Sequence, residues 1–200
     1  MSGVRRRKGP GLPSFRGLKP ASRTASEALA ANKRADTSCE IELRRALWRR
    51  GLRFLKNVAT LPGKPDIVFP RQRVVVFCDG DFWHGKDWGT RKRKLKRGHN
   101  AAYWVAKIQN NIRRDRRNEQ LLRTQGWTVV RLWESDVVAT PEKAAAAVEG
   151  ILRHVALQTQ RARRAAQRVG EKLAGANGAA GATRCNGKKE ASRRGAKSQR

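Results

Sequence analysis

The chain has 200 residues, with 46 Lys and Arg against 16 Asp and Glu, and a formal charge of +30 at pH 7. That length holds one domain with a buried core and excludes two domains alongside basic flanks, while a positive field of this size predicts a polyanionic partner, nucleic acid first. No apolar run approaches the roughly 20 residues of a bilayer span, and the basic start Arg5-Arg6-Arg7-Lys8 leads into Gly, Pro and Ser rather than an apolar signal segment. Cys39, Cys78 and Cys185 are too widely spaced for a disulfide framework or a CxxC metal knuckle. A protein of the reducing cytoplasm, without membrane contact, is expected.

Residues 1–34 mix Gly, Pro, Ser and basic side chains and predict a largely disordered basic arm, with a short helix at 26–33. Asp36-Thr37-Ser38 offers N-cap groups ahead of Ile41, Leu43, Leu47 and Trp48, and Gly51 stands where a C-cap falls, so 39–50 reads as an amphipathic helix. A weak strand at 52–58, a turn at 61–64, a short strand at 66–69, a turn at 70–73 and a strong strand at 74–78 follow as a meander. Beyond a basic loop, Trp104, Ile108, Asn111, Asp115 and Leu122 recur at helical spacing over 101–125, ending at Gly126. A buried strand at 127–133, with Trp127 and Trp133 in the core, leads to a last helix opened by Thr140-Pro141. The order α-β-β-β-α-β-α predicts an α/β fold, a mixed sheet flanked by helices, over 35–158. Residues 159–200, rich in Ala, Gly, Lys and Arg, read as a low-complexity basic tail, largely disordered, with a helical extension over 161–173.

Acids and a histidine gather at the strand ends: Asp66 opens one strand, Asp79 and Asp81 follow the next, and His84 comes after them. A tight hairpin would bring Asp66 and Asp79 to comparable heights. Such carboxylates suit a hard divalent cation, Mg²⁺, with a nearby His to position or activate water, although Asp after a strand is also ordinary turn chemistry. Phe82-Trp83-His84 is an aromatic run in an otherwise polar loop beside Lys86 and the basic 91–97 segment, with Trp88 and Trp104 near in sequence. Aromatics among basic residues can stack on or wedge between bases.

In order, Asp36-Thr37 with Glu40, Leu61-Pro62-Gly63-Lys64-Pro65-Asp66, Val76-Phe77-Cys78-Asp79-Gly80-Asp81-Phe82-Trp83-His84-Gly85, Tyr103-Trp104-Val105-Ala106-Lys107-Ile108 with Asn111 and Asp115-Arg116-Arg117, and Gly126-Trp127 to Trp133-Glu134 resemble the very short patch repair (Vsr) endonucleases across 26–138. The resemblance implies a restriction-endonuclease-like (PD-(D/E)xK) core and Mg²⁺-dependent nicking of double-stranded DNA 5′ to the thymine of a T:G mismatch. It implies that Asp66 is the central metal ligand, with the Cys78 backbone carbonyl as a second. It also implies that Glu40 would hold water on the metal and that His84 would serve the hydrolytic water or the leaving group, while Asp79, a departure from the family, would add a carboxylate beside Asp66 and strengthen metal binding. Phe82, Trp83 and Trp104 would wedge into the stack, and Lys107, Asn111 and Asp115, on one helical face with Trp104, would contact the mismatch.

The chain also departs from the family. The founding bacterial enzymes have His where this chain has Asp79, and they hold a structural zinc at positions occupied here by Asp81, Lys86, Trp88 and Ser135, so no zinc is expected and packing around Trp88 would replace the staple. The usual nuclease lysine position is Asp81, which leaves Lys64 and Lys86 for that role. Two other readings stand beside mismatch nicking: a restriction or defence-type nuclease without mismatch specificity, and a non-catalytic basic DNA-binding protein. A monomer in the bacterial cytoplasm, associated with the nucleoid, is expected, with repair proteins as further partners.

Overall fold

Thr37 opens the first helix because its side chain can take an otherwise orphaned amide: Oγ1 accepts the Glu40 N–H at 3.3 Å and caps α1, Ser38–Arg49. The helix stops at Gly51, whose φ of +74° lies in the left-handed region that closes helices. Leu43, Ala46 and Leu47 are wholly buried on its inner stripe. In this computed structural model residues 14–19, 21–24, 27 and 35–185 are described, the last fourteen of them (172–185) by backbone alone. The helix expected at 26–33 lies outside the described residues except for Glu27.

Three strands follow: β1 Leu55–Lys56, β2 Ile67–Phe69 and β3 Val74–Asp79, paired antiparallel in sequence order. The strand expected over 52–58 shrinks to two exposed residues, since an outer strand with one partner and few β-branched side chains has little to hold it. Helix α2, Trp88–Lys96, occupies what reads as a basic loop; it buries no residue, so no apolar period announces it. Helix α3, Ala101–Thr124, buries Ile108, Asn111, Asp115 and Leu122 at the expected spacing. It returns the chain to β4, Thr128–Trp133, which lies parallel to β3, giving a mixed sheet of order β1-β2-β3-β4. A short helix that the sequence did not announce, α4 Glu134–Ala139, precedes α5, Pro141–Cys185.

β3 sits inside the sheet. Val68, Val75, Phe77, Leu122 and Val129 form one buried cluster between sheet and α3, with Val58, Leu61 and Trp127 packed partly against it. Trp127 and Trp133, expected in the core, are half-buried. At the far end of β3 the turn between β2 and β3 closes on Arg73, whose φ is +54°. The Arg73 carbonyl accepts the Thr128 N–H at 2.8 Å, and its guanidinium bonds the Gln125 carbonyl and lies 5.3 Å from the Trp127 ring centre. The turn is thereby fastened to the start of β4.

Two compact units divide the chain, Met1–Leu152 and Arg153–Arg200. In the second the backbone is helical through Cys185, across the extension expected at 161–173 and beyond it. Low apolar content argued for little order there, but Ala and Arg are strong helix formers. Among the described residues, no helix is long and apolar enough to cross a membrane.

Candidate active site

The end of β3 sorts its side chains by the period of two. Val75, Phe77 and Asp79 share the face on which Leu122 of α3 packs, whereas Cys78 points to the other face, where its thiol bonds that of buried Cys39. That thiol contact and burial push the Cys78 thiol far above its usual range, so it stays protonated and unreactive.

Asp66 stands at the bend before β2, and its Oδ2 accepts the Cys78 backbone N–H at 2.7 Å. No donor among the described residues reaches its Oδ1. Burial pushes the carboxyl up to about 6; the Cys78 hydrogen bond opposes this, the charges of Glu40 and Asp79 add to it, and Arg44 opposes it. A half-buried carboxylate with a free oxygen and excess negative charge around it fits a divalent cation. Among the described residues no three His, Cys, Asp or Glu side chains converge as a metal site, so a cation here would draw on Asp66, backbone oxygen and solvent. Glu40, 4% exposed, is committed to the start of α1: Oε1 accepts from Thr37 Oγ1 at 3.0 Å, and Oε2 from the Asp36 N–H at 3.0 Å and Arg44 Nη2 at 3.3 Å.

On the other face a second cluster surrounds His84. Its Nδ1 lies 2.6 Å from Asp115 Oδ2 and 3.4 Å from Asp79 Oδ1. With Nδ1 turned to two carboxylates, Nε2 is the ring nitrogen left to exchange a proton in the cavity that His84 lines. Burial raises the Asp115 carboxyl, but the hydrogen bond and charge of His84, and then Arg114, outweigh it and leave it below the usual carboxylate range. Arg114 reaches Asp115 Oδ1 at 3.0 Å.

Two of the expected site acids are engaged by other partners here. Asp79, expected on the metal, has both oxygens in the fork of Arg131 at 2.6 Å each and projects to the His84 face, away from Cys78, because strand alternation separates neighbours. Asp115, expected at the mismatch, is 9% exposed and has both oxygens engaged with His84 and Arg114, so it orients the histidine. Asn111 does face the cavity, but its Nδ2 donates to the Trp83 carbonyl at 3.0 Å and ties down the aromatic loop.

That loop, 80–87, is fastened at several points. Asp81 Oδ1 accepts the Ser135 N–H at 3.3 Å, and Lys86 Nζ donates to Ser135 Oγ and Asp136 Oδ1, each at 2.7 Å. The bond to Asp136 raises the Lys86 ammonium, so it stays charged. The staple expected from packing around Trp88 is thus a polar one centred on Lys86, and Lys86 is not turned to the nuclease lysine role. Gly85, with φ of +74°, lies so close to α3 that a Cβ there would sit 2.7 Å from Ile112 Cδ1. Between these anchors Phe82 and Trp83 meet Trp104 of α3 with ring centres 5.5 and 6.1 Å away, bringing the expected wedge aromatics together half-buried. Phe15 lies 5.0 Å from Tyr103 and 6.2 Å from Trp104, and the Lys19 carbonyl accepts from Asn100 Nδ2 at 2.7 Å.

A cavity of about 520 Å³ opens among Thr37, Cys78, Trp83, His84, Lys107 and Arg114. Arg131 and Arg114 escaped the sequence reading. Arg131 left a signal, since an arginine inside the apolar run Thr128-Val129-Val130-Arg131-Leu132-Trp133 needs a buried partner; Arg114 stands among too many basic residues to be singled out.

A carboxylate-oriented histidine in a basic cavity, with the half-buried Asp66 at the bend before β2 and Trp83 on the cavity wall, equips the chain to hydrolyse nucleic-acid phosphodiesters, and the comparisons narrow this to a DNA-nicking endonuclease. The family model for DNA mismatch endonuclease Vsr matches residues 18–90. The type II nicking enzyme V.NmeDIP of Neisseria meningitidis serogroup C is 46% identical over 112 residues, covering 56% of this chain and 74% of that protein. The type II nicking enzyme V.HpaIIP of Haemophilus parainfluenzae is 41% identical over 114 residues, 57% of this chain and 79% of the other. DNA mismatch endonuclease Vsr of Escherichia coli K12 is 37% identical over 111 residues, 56% and 69% of the two chains. The chain belongs to the Vsr family of DNA endonucleases.

Proposed function

We propose that this endonuclease nicks duplex DNA on the 5′ side of the thymine in T:G mismatches, in a Mg²⁺-dependent hydrolysis, on a restriction-endonuclease-like core. The observation that carries the chemistry is the 2.6 Å contact of His84 Nδ1 with Asp115, which leaves Nε2 to take a proton from attacking water. Asp66 and the Cys78 backbone carbonyl are the groups that would hold the ion. Bound there, Mg²⁺ supplies positive charge to the phosphoryl oxygens and lowers the pKa of coordinated water. Lys107 and Arg114, on the cavity wall, neutralise phosphate, and Asp79 with Arg131 braces the histidine from behind. Phe82, Trp83 and Trp104 enter the stack beside the mismatch, and the products are a 5′-phosphate and a 3′-hydroxyl. The bacterial cytoplasm is the compartment this reading assigns to the enzyme, supported by its bacterial DNA-nicking relatives.

A second reading, nicking without mismatch preference, is favoured by the relatives whose names specify nicking alone. A strand-resolved assay separates them. Duplexes with one T:G pair and with its matched C:G counterpart are compared with Mg²⁺ and with EDTA; the proposal expects one nick 5′ to the mismatched T, lost in EDTA. Equal cutting of both duplexes establishes the second reading, and cutting in EDTA overturns the metal assignment.

A further inference from the structure

We infer that the exposed helix of the second unit is a separate duplex-DNA contact, a row of arginines that grips the phosphate backbone. Between residues 151 and 185 one acidic residue, Glu171, stands against seven Lys and Arg, and Glu171 is taken by Gln167 Nε2 at 2.9 Å. Every side chain from 156 to 171 is exposed. No hydrogen bond or ion pair engages Arg161, Arg164 or Arg168 among the described residues. At 100° per residue these arginines fall within about 60° of one another around the axis, and Arg163 projects elsewhere.

A helix exposed all round gains nothing from burial, and like charges three and four residues apart oppose it. A line of phosphates reverses the sign of that term. The row from Arg161 to Arg168 is about 10 Å long, and each strand of duplex DNA carries one charge per about 3.4 Å of axis, so the row matches about three phosphates of one strand. The charge complementarity with a line of phosphates, in a chain whose family acts on DNA, names duplex DNA as the occupant.

The inference rests on DNA as the substrate and is tested apart from the active site. Binding of the full chain to a matched duplex is measured as a function of salt for the parent, for Arg161→Gln/Arg164→Gln/Arg168→Gln, for the triple Arg→Lys variant and for Arg163→Gln. The triple Gln variant is expected to lower the slope of log K against log salt by about 2 to 3, near 0.9 per contact, while the Lys variant and Arg163→Gln keep the parental slope. An unchanged slope in the triple Gln variant overturns the inference, as does an equal loss per charge in Arg163→Gln, or competition by polyglutamate as strong as by duplex. Single-turnover nicking at saturating protein is expected to be unchanged in all variants, and its loss in the triple Gln variant would overturn the reading of the helix as a contact separate from the active site.

Discussion

Asp66 is held in a state the free chain would not choose. Burial and neighbouring carboxylates raise its carboxyl from 3.8 to about 6, so the fold binds that proton more tightly than the unfolded chain does. The metal-free fold therefore gains stability from this group at low pH and loses it as pH rises from about 4 to about 6, a deficit on the order of 2 to 3 kcal/mol above that window. Asp66→Asn is expected to abolish nicking yet raise the melting temperature of the metal-free protein at pH 7.5 by roughly 5 °C, with the difference from the parent vanishing near pH 4. A destabilised Asn variant in calorimetry would show that the carboxylate is not under this load. Asp115 is the opposite case: its carboxyl is depressed below 3.8, so its contribution is complete above that value and lost as pH falls through the lower one. It stays ionised wherever the enzyme works. Asp115→Asn should therefore cut single-turnover nicking by about 10² to 10⁴-fold without altering duplex affinity more than a few-fold.

At the scale of elements, the loop 80–87 carries Phe82, Trp83 and His84, and its position depends on Lys86 reaching Ser135 and Asp136 at the start of α4. Lys86→Met should lower both nicking and discrimination between mismatched and matched duplex about tenfold, while the exchanged pair Lys86→Asp/Asp136→Lys restores part of each; discrimination untouched in Lys86→Met would make the clamp ornamental. These elements also show what sequence can reveal. Thr37 with Gly51, and the spacing of Ile108, Asn111, Asp115 and Leu122, announced α1 and α3 because caps and buried stripes are local and periodic. Helices α2 and α4 have no such stripe, and β1 is held by its neighbour more than by its own side chains. The residues of the site were legible as types; their partners were not. Asp79 read as a metal-site carboxylate and Asp115 as a mismatch contact because the arginines that claim them, Arg131 and Arg114, lie 52 positions and one position away within a crowd of other basic residues.

Over the first unit, one core serves structure and chemistry together. Val68, Val75, Phe77, Leu122 and Val129 bind the sheet to α3, the helix that also presents Trp104, Lys107, Asn111 and Asp115. Leu122→Ala is expected to cost about 2 to 5 kcal/mol in denaturant unfolding, and nicking per folded molecule should survive, since Leu122 lies well over a turn from Asp115. The charge of +30 belongs to this scale too: it draws the protein to DNA at long range and weakens steeply as salt is added.

The alternation along β3 sets Cys78 beside Asp66 and Asp79 behind His84. Register is what keeps that assignment, and register here is set at the opposite end of the strand, in the turn that Arg73 ties to β4. One residue inserted there would turn every side chain of the strand over, presenting Asp79 on the face that Cys78 now occupies. The turn, remote from any substrate, is thus the part of the sequence least free to change length, and families that vary their loops around this chemistry should do so everywhere except there.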